Sequence, residues 1–257
     1  MFINTKGLVL REASYRDSSK ILTILTSDEG KLTASVRGAK RKNSRLAPCA
    51  QPLAFSDMTL LKNRDRWTLT EAQGIEFFTG LCEDITLLAL GTYIAELLEA
   101  VSDEDSPVGG ILPLGLNALY VLSEGKRAPE LVKAAFELRL MCLAGFAPSL
   151  DACPVCGSRD VAAPQLDVVG GAALCGGCRS RRYDAGGEYA ELDAQSLQAA
   201  RYITRCEPKR VFSFALDGES LRKLADAVER YALTHLGRGF KSLDYYKKFD
   251  TRGILSI

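Results

Sequence analysis

The sequence predicts an α+β chain: an N-terminal β-barrel, then a mainly α-helical domain carrying an inserted four-cysteine zinc module. Three observations predict it. Short alternating apolar runs fill residues 1 to about 75. A helical apolar period takes over beyond residue 76. Two Cys-x-x-Cys pairs stand 18 residues apart in the second half.

The β reading rests on Ile3–Leu10, Ile21–Thr26, Lys31–Arg37, Met58–Leu61 and Trp67–Thr70, each rich in β-branched and aliphatic residues and separated by turn signals. In Lys31–Arg37 the apolar Leu32, Ala34 and Val36 alternate with polar neighbours, which puts one face on a core and one in water. Asp28-Glu29-Gly30 reads as the hairpin turn before it. Five short strands in about 75 residues fit an oligonucleotide/oligosaccharide-binding (OB) barrel, and an SH3-like barrel would leave a similar trace. We assign residues 1–78 to this domain and 79–257 to the helical one.

Helices are predicted over Gly80–Val101, Leu114–Ser123, Pro129–Ala144, Asp193–Ile203 and Ser220–Leu236. Ser102–Pro113 breaks the pattern with charge, proline and glycine. Pro129 in a first turn, Gly145 and Gly237 just past helix ends, and Asp193 and Ser220 as N-caps supply start and stop signals.

Cys153-Pro-Val-Cys156 and Cys175-Gly-Gly-Cys178 have the spacing of a zinc site. Cysteines three apart on a tight turn aim both sulfurs at one ion, and Gly157, Gly176 and Gly177 let the backbone curl. Four thiolates close a tetrahedral shell and leave no open position, so one structural Zn²⁺ is expected, in a module spanning about 149–186. A redox dithiol needs only one such pair, usually beside an alternating strand–helix pattern. Cys49, Cys82, Cys142 and Cys206 are isolated in sequence.

Charge is distributed unevenly although the formal net charge is +1. Residues 1–75 hold 13 Lys+Arg against 7 Asp+Glu, net +6, and the remainder 20 against 25, net −5. A polyanion partner is therefore expected for the first domain alone. Arg37, Lys40, Arg41, Lys42 and Arg45 crowd one loop leaving a strand, where OB folds track phosphates. A solvated loop would carry the same run; the basic domain around it favours phosphate contact. Lys62, Arg64 and Arg66 mark a second patch at a turn, and Trp67, Tyr15 and Phe55 are either stacking platforms or core.

Several function classes lack their signatures. The single histidine, His235, cannot build a histidine-rich metal site, and there is no P-loop, H-x-E triplet or G-x-S-x-G elbow. Asp103-Glu104-Asp105 sits in the Ser/Pro/Gly break, which reads as a solvated loop before it reads as a metal-dependent nuclease. No membrane span is predicted, and the charged start MFINTKGLVLREASYRDS does not fit a signal peptide, so a cytoplasmic, non-catalytic protein is expected. An RNA- or transcription-associated zinc ribbon, contacting nucleic acid through Arg179, Arg181 and Arg182, is the competing reading.

With these residues in place, the sequence resembles the RecO family of bacterial DNA repair and recombination mediators. The resemblance is carried by Thr5–Lys20, Gly30-Lys31, Val36–Lys40, Leu46–Leu53, the block Phe136–Pro148 leading into Cys153, and His235–Leu243. It implies an OB domain followed by a helical domain with a zinc module. It further implies binding of single- and double-stranded DNA, annealing of complementary strands, and a nucleoid-associated place in the cytoplasm. The partners it implies are RecR, the acidic tail of the single-stranded-DNA-binding protein and, indirectly, the RecA recombinase.

Overall fold

The computed structural model describes residues 1–249 except 16, 105, 107, 108, 182–186 and 217. Five strands, β1 (Phe2–Tyr15), β2 (Ser19–Thr26), β3 (Lys31–Val36), β4 (Phe55–Asn63) and β5 (Arg66–Glu76), close a barrel in the order β1-β2-β3-β5-β4. β1 is long enough to pair with β4 over Phe2–Leu8 and with β2 over Gly7–Tyr15, so it closes the sheet on itself. Its register shifts between Val9 and Arg11, a bulge that bends the strand around the barrel. Gly7 sits at this crossing. A Cβ there would lie 2.6 Å from Ile24 Cγ2, so only glycine lets the strand pass. The parallel β3–β5 pair completes the OB-like order.

The interior is filled by Val9, Leu22, Ile24, Leu32, Ala34, Val36, Met58, Leu60, Trp67 and Leu69. The alternation in β3 therefore points where the sequence predicts. Leu8 and Leu10 flank Val9 and are buried too, because α1 (Ile85–Val101) covers the outside of β1 and β2. Arg11 pairs with Glu99 on that helix at 3.1 Å, and Lys31 Nζ donates to the Glu99 carbonyl. At the β2–β3 turn Gly30 adopts φ +71°, and its carbonyl accepts from the Thr26 backbone and hydroxyl.

The chain packs as two compact units. One holds Met1–Glu124 with the C-terminal stretch from Phe240, and the other is Gly125–Gly239. In the first, α2 (Ile111–Ser123) and α6 (Lys241–Phe249) pack on α1, with Phe240 edge-on to Tyr93. In the second, α3 (Pro129–Leu143), α4 (Ala194–Arg205) and α5 (Gly218–Leu236) pack on one another, and a small sheet of β6 (Gln165–Asp167), β7 (Ala172–Leu174) and β8 (Tyr189–Glu191), ordered β7-β6-β8, meets α5 through β8.

Several details differ from the sequence expectation. The helix expected from Gly80 begins at Ile85, because Asp84 caps it by accepting the Thr86 N–H and residues 79–83 form a 3₁₀ turn. Helix α2 begins at Ile111, so Pro113 lies in its first turn, where its missing N–H costs nothing. Ser220 is inside α5 rather than at its cap, and its hydroxyl donates to Asp193 at 2.9 Å. Strands β6–β8 and helix α6 were not expected. Asp193 does cap α4, in a reciprocal box with Ser196.

A buried ion cluster ties α3 to α5. Lys133 is 3% exposed, with its Nζ 2.9 Å from Glu137 and 2.8 Å from Glu229. Burial alone would lower the Lys133 pKa, but the two carboxylates override it and hold the ammonium above its ordinary value.

Candidate nucleic-acid interface and metal centre

The basic loop leaves the end of β3. Gly38 at φ +68° turns the chain, the Arg41 N–H donates to the Gly38 carbonyl, and the Lys40 N–H donates to the Ser18 carbonyl. Ala39, 3% exposed, packs into the barrel core and pins the loop from beneath. The side chains of Arg37, Lys40, Arg41, Lys42 and Arg45 all stand in solvent. None forms an ion pair with a described residue, in contrast to Lys20, which pairs with Glu12. Five cations are thus held on one anchored loop with no ion-pair partner among the described residues.

The second patch lies elsewhere on the barrel. Arg64 and Arg66 are exposed at the β4–β5 turn, where Arg64 takes φ +54°; Lys62 is half-buried with Nζ 5.0 Å above the Trp67 ring. The parallel register pairs Trp67 with Ala34, so Arg66 stands level with Thr33 in the middle of β3 while the loop leaves its end. About four residues of strand, roughly 13 Å at about 3.3 Å each, separate the two groups along β3. Between them the outer surface carries Thr33, Ser35 and Thr68, with Ser35 Oγ 3.2 Å from Thr68 Oγ1.

Trp67 is 7% exposed and belongs to the core, so it offers no stacking face. Phe55 is half-buried, and Tyr15, 39% exposed at the end of β1, is the most accessible of the three aromatic candidates. Asp103 and Glu104 are exposed, and Glu104 bridges Lys31; Asp105 lies outside the described residues.

The four sulfurs of Cys153, Cys156, Cys175 and Cys178 lie within 4.8 Å of one another. A tetrahedral ion with metal–sulfur bonds of about 2.3 Å sets its sulfurs about 3.8 Å apart, and Cys156 and Cys175 stand at 3.9 Å. That separation is far beyond a disulfide of about 2.05 Å. Local turns account for the convergence. The Gly157 N–H donates to the Cys153 carbonyl with Gly157 at φ +73°, and the Cys178 N–H donates to the Cys175 carbonyl. Cys153 and Cys178 are buried, Cys156 exposed.

Burial opposes a thiolate at Cys153, yet backbone N–H groups of Cys175, Cys156 and Val155 outweigh it and draw the thiol down to about 6. A hydrogen bond with Cys156, then burial, then repulsion from neighbouring thiolates push Cys178 up to about 12. The first negative charge settles on Cys153, and charge at Cys175 and Cys178 resists forming without a cation among them. Such a donor set is placed to hold a metal ion.

Arg201 on α4 fixes the first knuckle. Its guanidinium donates to the carbonyls of Leu150 at 2.8 Å, Asp151 at 3.2 Å and Arg159 at 3.2 Å, bracketing Cys153–Cys156. Arg205 pairs with Asp151 beside it. Sequence reading passed over Arg201, since carbonyl-binding arginines leave no local motif. Beside the second knuckle, Arg179 lies 4.9 Å over the Tyr189 ring; Arg182 and the Arg181 side chain lie outside the described residues.

Comparison with known proteins agrees with this architecture. The family model "Recombination protein O N terminal" matches residues 1–78, and "Recombination protein O C terminal" matches 82–244. A "DNA repair protein RecO" of Acetivibrio thermocellus is 30% identical across 97% of this chain and 98% of its own. Proteins of the same name from Symbiobacterium thermophilum and Exiguobacterium sibiricum are 32% and 31% identical, each over 94% of this chain and 95% of their own. Among the described residues no helix is long and apolar enough to cross a membrane. With an OB-like barrel, a helical unit with a four-cysteine cluster, and both family models matched in order, the chain belongs to the RecO family of DNA repair proteins.

Proposed function

We propose that this chain is a recombination mediator that binds single- and double-stranded DNA and anneals complementary strands. With RecR, it helps load RecA onto DNA coated by single-stranded-DNA-binding protein, whose acidic tail it binds. The observation that carries the reading is the anchored loop with five solvent-exposed cations, none of which forms an ion pair with a carboxylate among the described residues. Two DNA strands repel through their phosphates. Cations at the barrel surface displace condensed counterions and lower that repulsion, so short paired nuclei survive long enough to extend. Arg37, Lys40, Arg41, Lys42 and Arg45 form the primary contact, and Lys62, Arg64 and Arg66 extend it across the barrel. The buried Trp67 leaves binding to rest on the backbone rather than on base stacking. The division of labour is residues 1–78 for DNA and 79–257 for protein partners.

The metal is proposed to be a single Zn²⁺ held by Cys153, Cys156, Cys175 and Cys178. Its chemistry there is to neutralise the thiolates and cross-link the two knuckles. The chain's own residues then do the rest: Arg201 holds the first knuckle to α4, and β7 delivers the second.

The test is annealing of complementary oligonucleotides coated with single-stranded-DNA-binding protein, without nucleotide, comparing the wild type with Lys40→Glu/Arg41→Glu/Lys42→Glu. Annealing is expected in the wild type and not in the variant. Equal annealing by both would move the DNA site away from this loop. Annealing by neither would leave a metal-binding DNA module and remove the mediator reading.

A further inference from the structure

The first unit carries a surface of opposite character to its basic loop. Residues 67–125 contain 10 Asp/Glu and no Lys, Arg or His. Within that stretch lies an apolar groove of about 300 Å³, bounded on one side by Phe77, Phe78, Leu81, Cys82 and Leu88. Its other wall, Pro48 and Gln51–Ala54, is uncharged.

Large side chains stand in solvent along this groove. Phe77 is 41% exposed and Leu88 38%; Ile85, one helical turn before Leu88 on the same face of α1, is 60% exposed. Such a contiguous set is uncommon on a surface that meets only water. The groove is also built with backbone strain. Leu53 at φ +66° and Phe78 at φ +47° both line it, in the left-handed region that non-glycine residues seldom occupy. The Glu76 carboxylate holds the corner by accepting the N–H groups of Phe77 and Phe78 at 2.8 and 3.0 Å. The Phe77 ring lies over Gly74, where a Cβ would come within 2.3 Å of it. The exposed ring is therefore fixed in place rather than loosely hung.

The charges around the groove choose its occupant. Glu76 lies behind Phe77, and Glu83 stands exposed beside Cys82. This rim repels nucleic acid, acidic peptides and anionic lipid alike. Apolar side chains with cations beside them would satisfy both features. At the lower end of the usual range for ligand pockets, the groove has room for one or two large side chains. We propose that it is a docking site for a partner protein's short apolar segment flanked by lysine or arginine. The site is independent of the DNA-binding loop.

Full-length protein would be titrated against two fluorescent peptides, one with a Leu-Phe centre between paired lysines and one with glutamates in their place. The lysine peptide is expected to bind and the glutamate peptide not. Ile85→Lys/Leu88→Lys should weaken binding at least about tenfold, and Glu83→Lys severalfold. Both variants alter exposed side chains and should keep the wild-type melting temperature. Cys82, exposed at the groove, is a built-in reporter whose maleimide labelling, read by peptide mass spectrometry, should slow when the lysine peptide is bound. The Lys40→Glu/Arg41→Glu/Lys42→Glu variant should bind the peptide as the wild type does while losing annealing, which separates this site from the DNA site. No binding up to millimolar peptide, equal binding of both peptides, or affinity unchanged in both groove variants would overturn the proposal. So would binding to zwitterionic vesicles that the double variant abolishes, which would make lipid the occupant.

Discussion

Reversing Lys40, Arg41 and Lys42 to glutamate should change the salt dependence of DNA binding while leaving the fold intact. All three side chains are exposed and none pairs with a described residue, so folding should shift by no more than about 0.5 kcal/mol. Each phosphate contact contributes about 0.7 to the slope of log affinity against log salt for single strands, and about 0.9 for duplex. Three lost contacts should therefore flatten the slope by about 2 on single-stranded DNA and about 2.7 on duplex. Between 50 and 200 mM salt the gap between wild type and variant should narrow by more than about tenfold. Fluorescence anisotropy with a labelled oligonucleotide over a salt series reads this directly. A variant with the wild-type melting temperature and the wild-type slope would refute the assignment of these residues to phosphates, whatever its affinity at one salt concentration.

Two further changes probe the helical unit. Lys133→Met removes the buried ammonium that Glu137 and Glu229 share, which should cost about 3–5 kcal/mol and lower the melting temperature by roughly 10 °C or more. The Lys133 pKa is raised in the fold, so its contribution is complete below about 10.5 and is lost only as pH climbs through the folded value; a wild type that weakens between pH 6 and 8 through this cluster would contradict that sign. Asp193→Ala should cost about 1 kcal/mol of α4 stability, seen as faster hydrogen exchange near Ser196. Burial opposes its charge, but the Ser196 N–H, the Ser220 and Ser196 hydroxyls and Lys223 hold its pKa below the usual 3.8. The cap's benefit is therefore present above that pH and fades as pH falls through the lowered value.

The features that sequence made legible share a physical cause: each is written by neighbours in the chain. Alternation in β3 shows because one face of the barrel wall is interior, and the Cys-x-x-Cys knuckles show because a metal shell needs two sulfurs on one tight turn. The Asp193 box and the Gly145 and Gly237 stops are equally local. What stayed hidden depends on partners far away. The part of β1 beyond Leu10 leaves no apolar run, because Arg11 to Tyr15 are all exposed and pair only with β2. β6–β8, at three residues each, are too short for any period to register. Arg201 reaches carbonyls about fifty residues before it, and the groove at Phe77 exists only because Pro52–Ala54 fold back against α1. The basic loop was visible as charge, but its lack of ion-pair partners among the described residues could be known only once surrounding carboxylates had positions.

The single tryptophan offers a way to separate the two units in the intact protein. Trp67 lies in the barrel core, so its emission reports on that unit alone, whereas the four cysteines belong to Gly125–Gly239. A structural zinc contributes on the order of 10–16 kcal/mol in small finger peptides, comparable to or above the whole stability of a domain. Here a metal held by the four cysteines would support only the knuckles and their short sheet directly, while Leu131, Phe136, Leu138, Leu224 and Tyr231 give the helices a core of their own. Stripping the metal with a strong chelator should therefore speed hydrogen exchange over 150–178 and loosen the C-terminal half of α4 through Arg201, with α3 and α5 less affected. The blue-shifted emission of Trp67 should not move. Unchanged exchange across the knuckles would mean that the cysteines hold no metal that matters to the fold. A red shift of Trp67 in step with metal loss would mean that the barrel depends on the metal, and the division of labour proposed for the chain would fail with it.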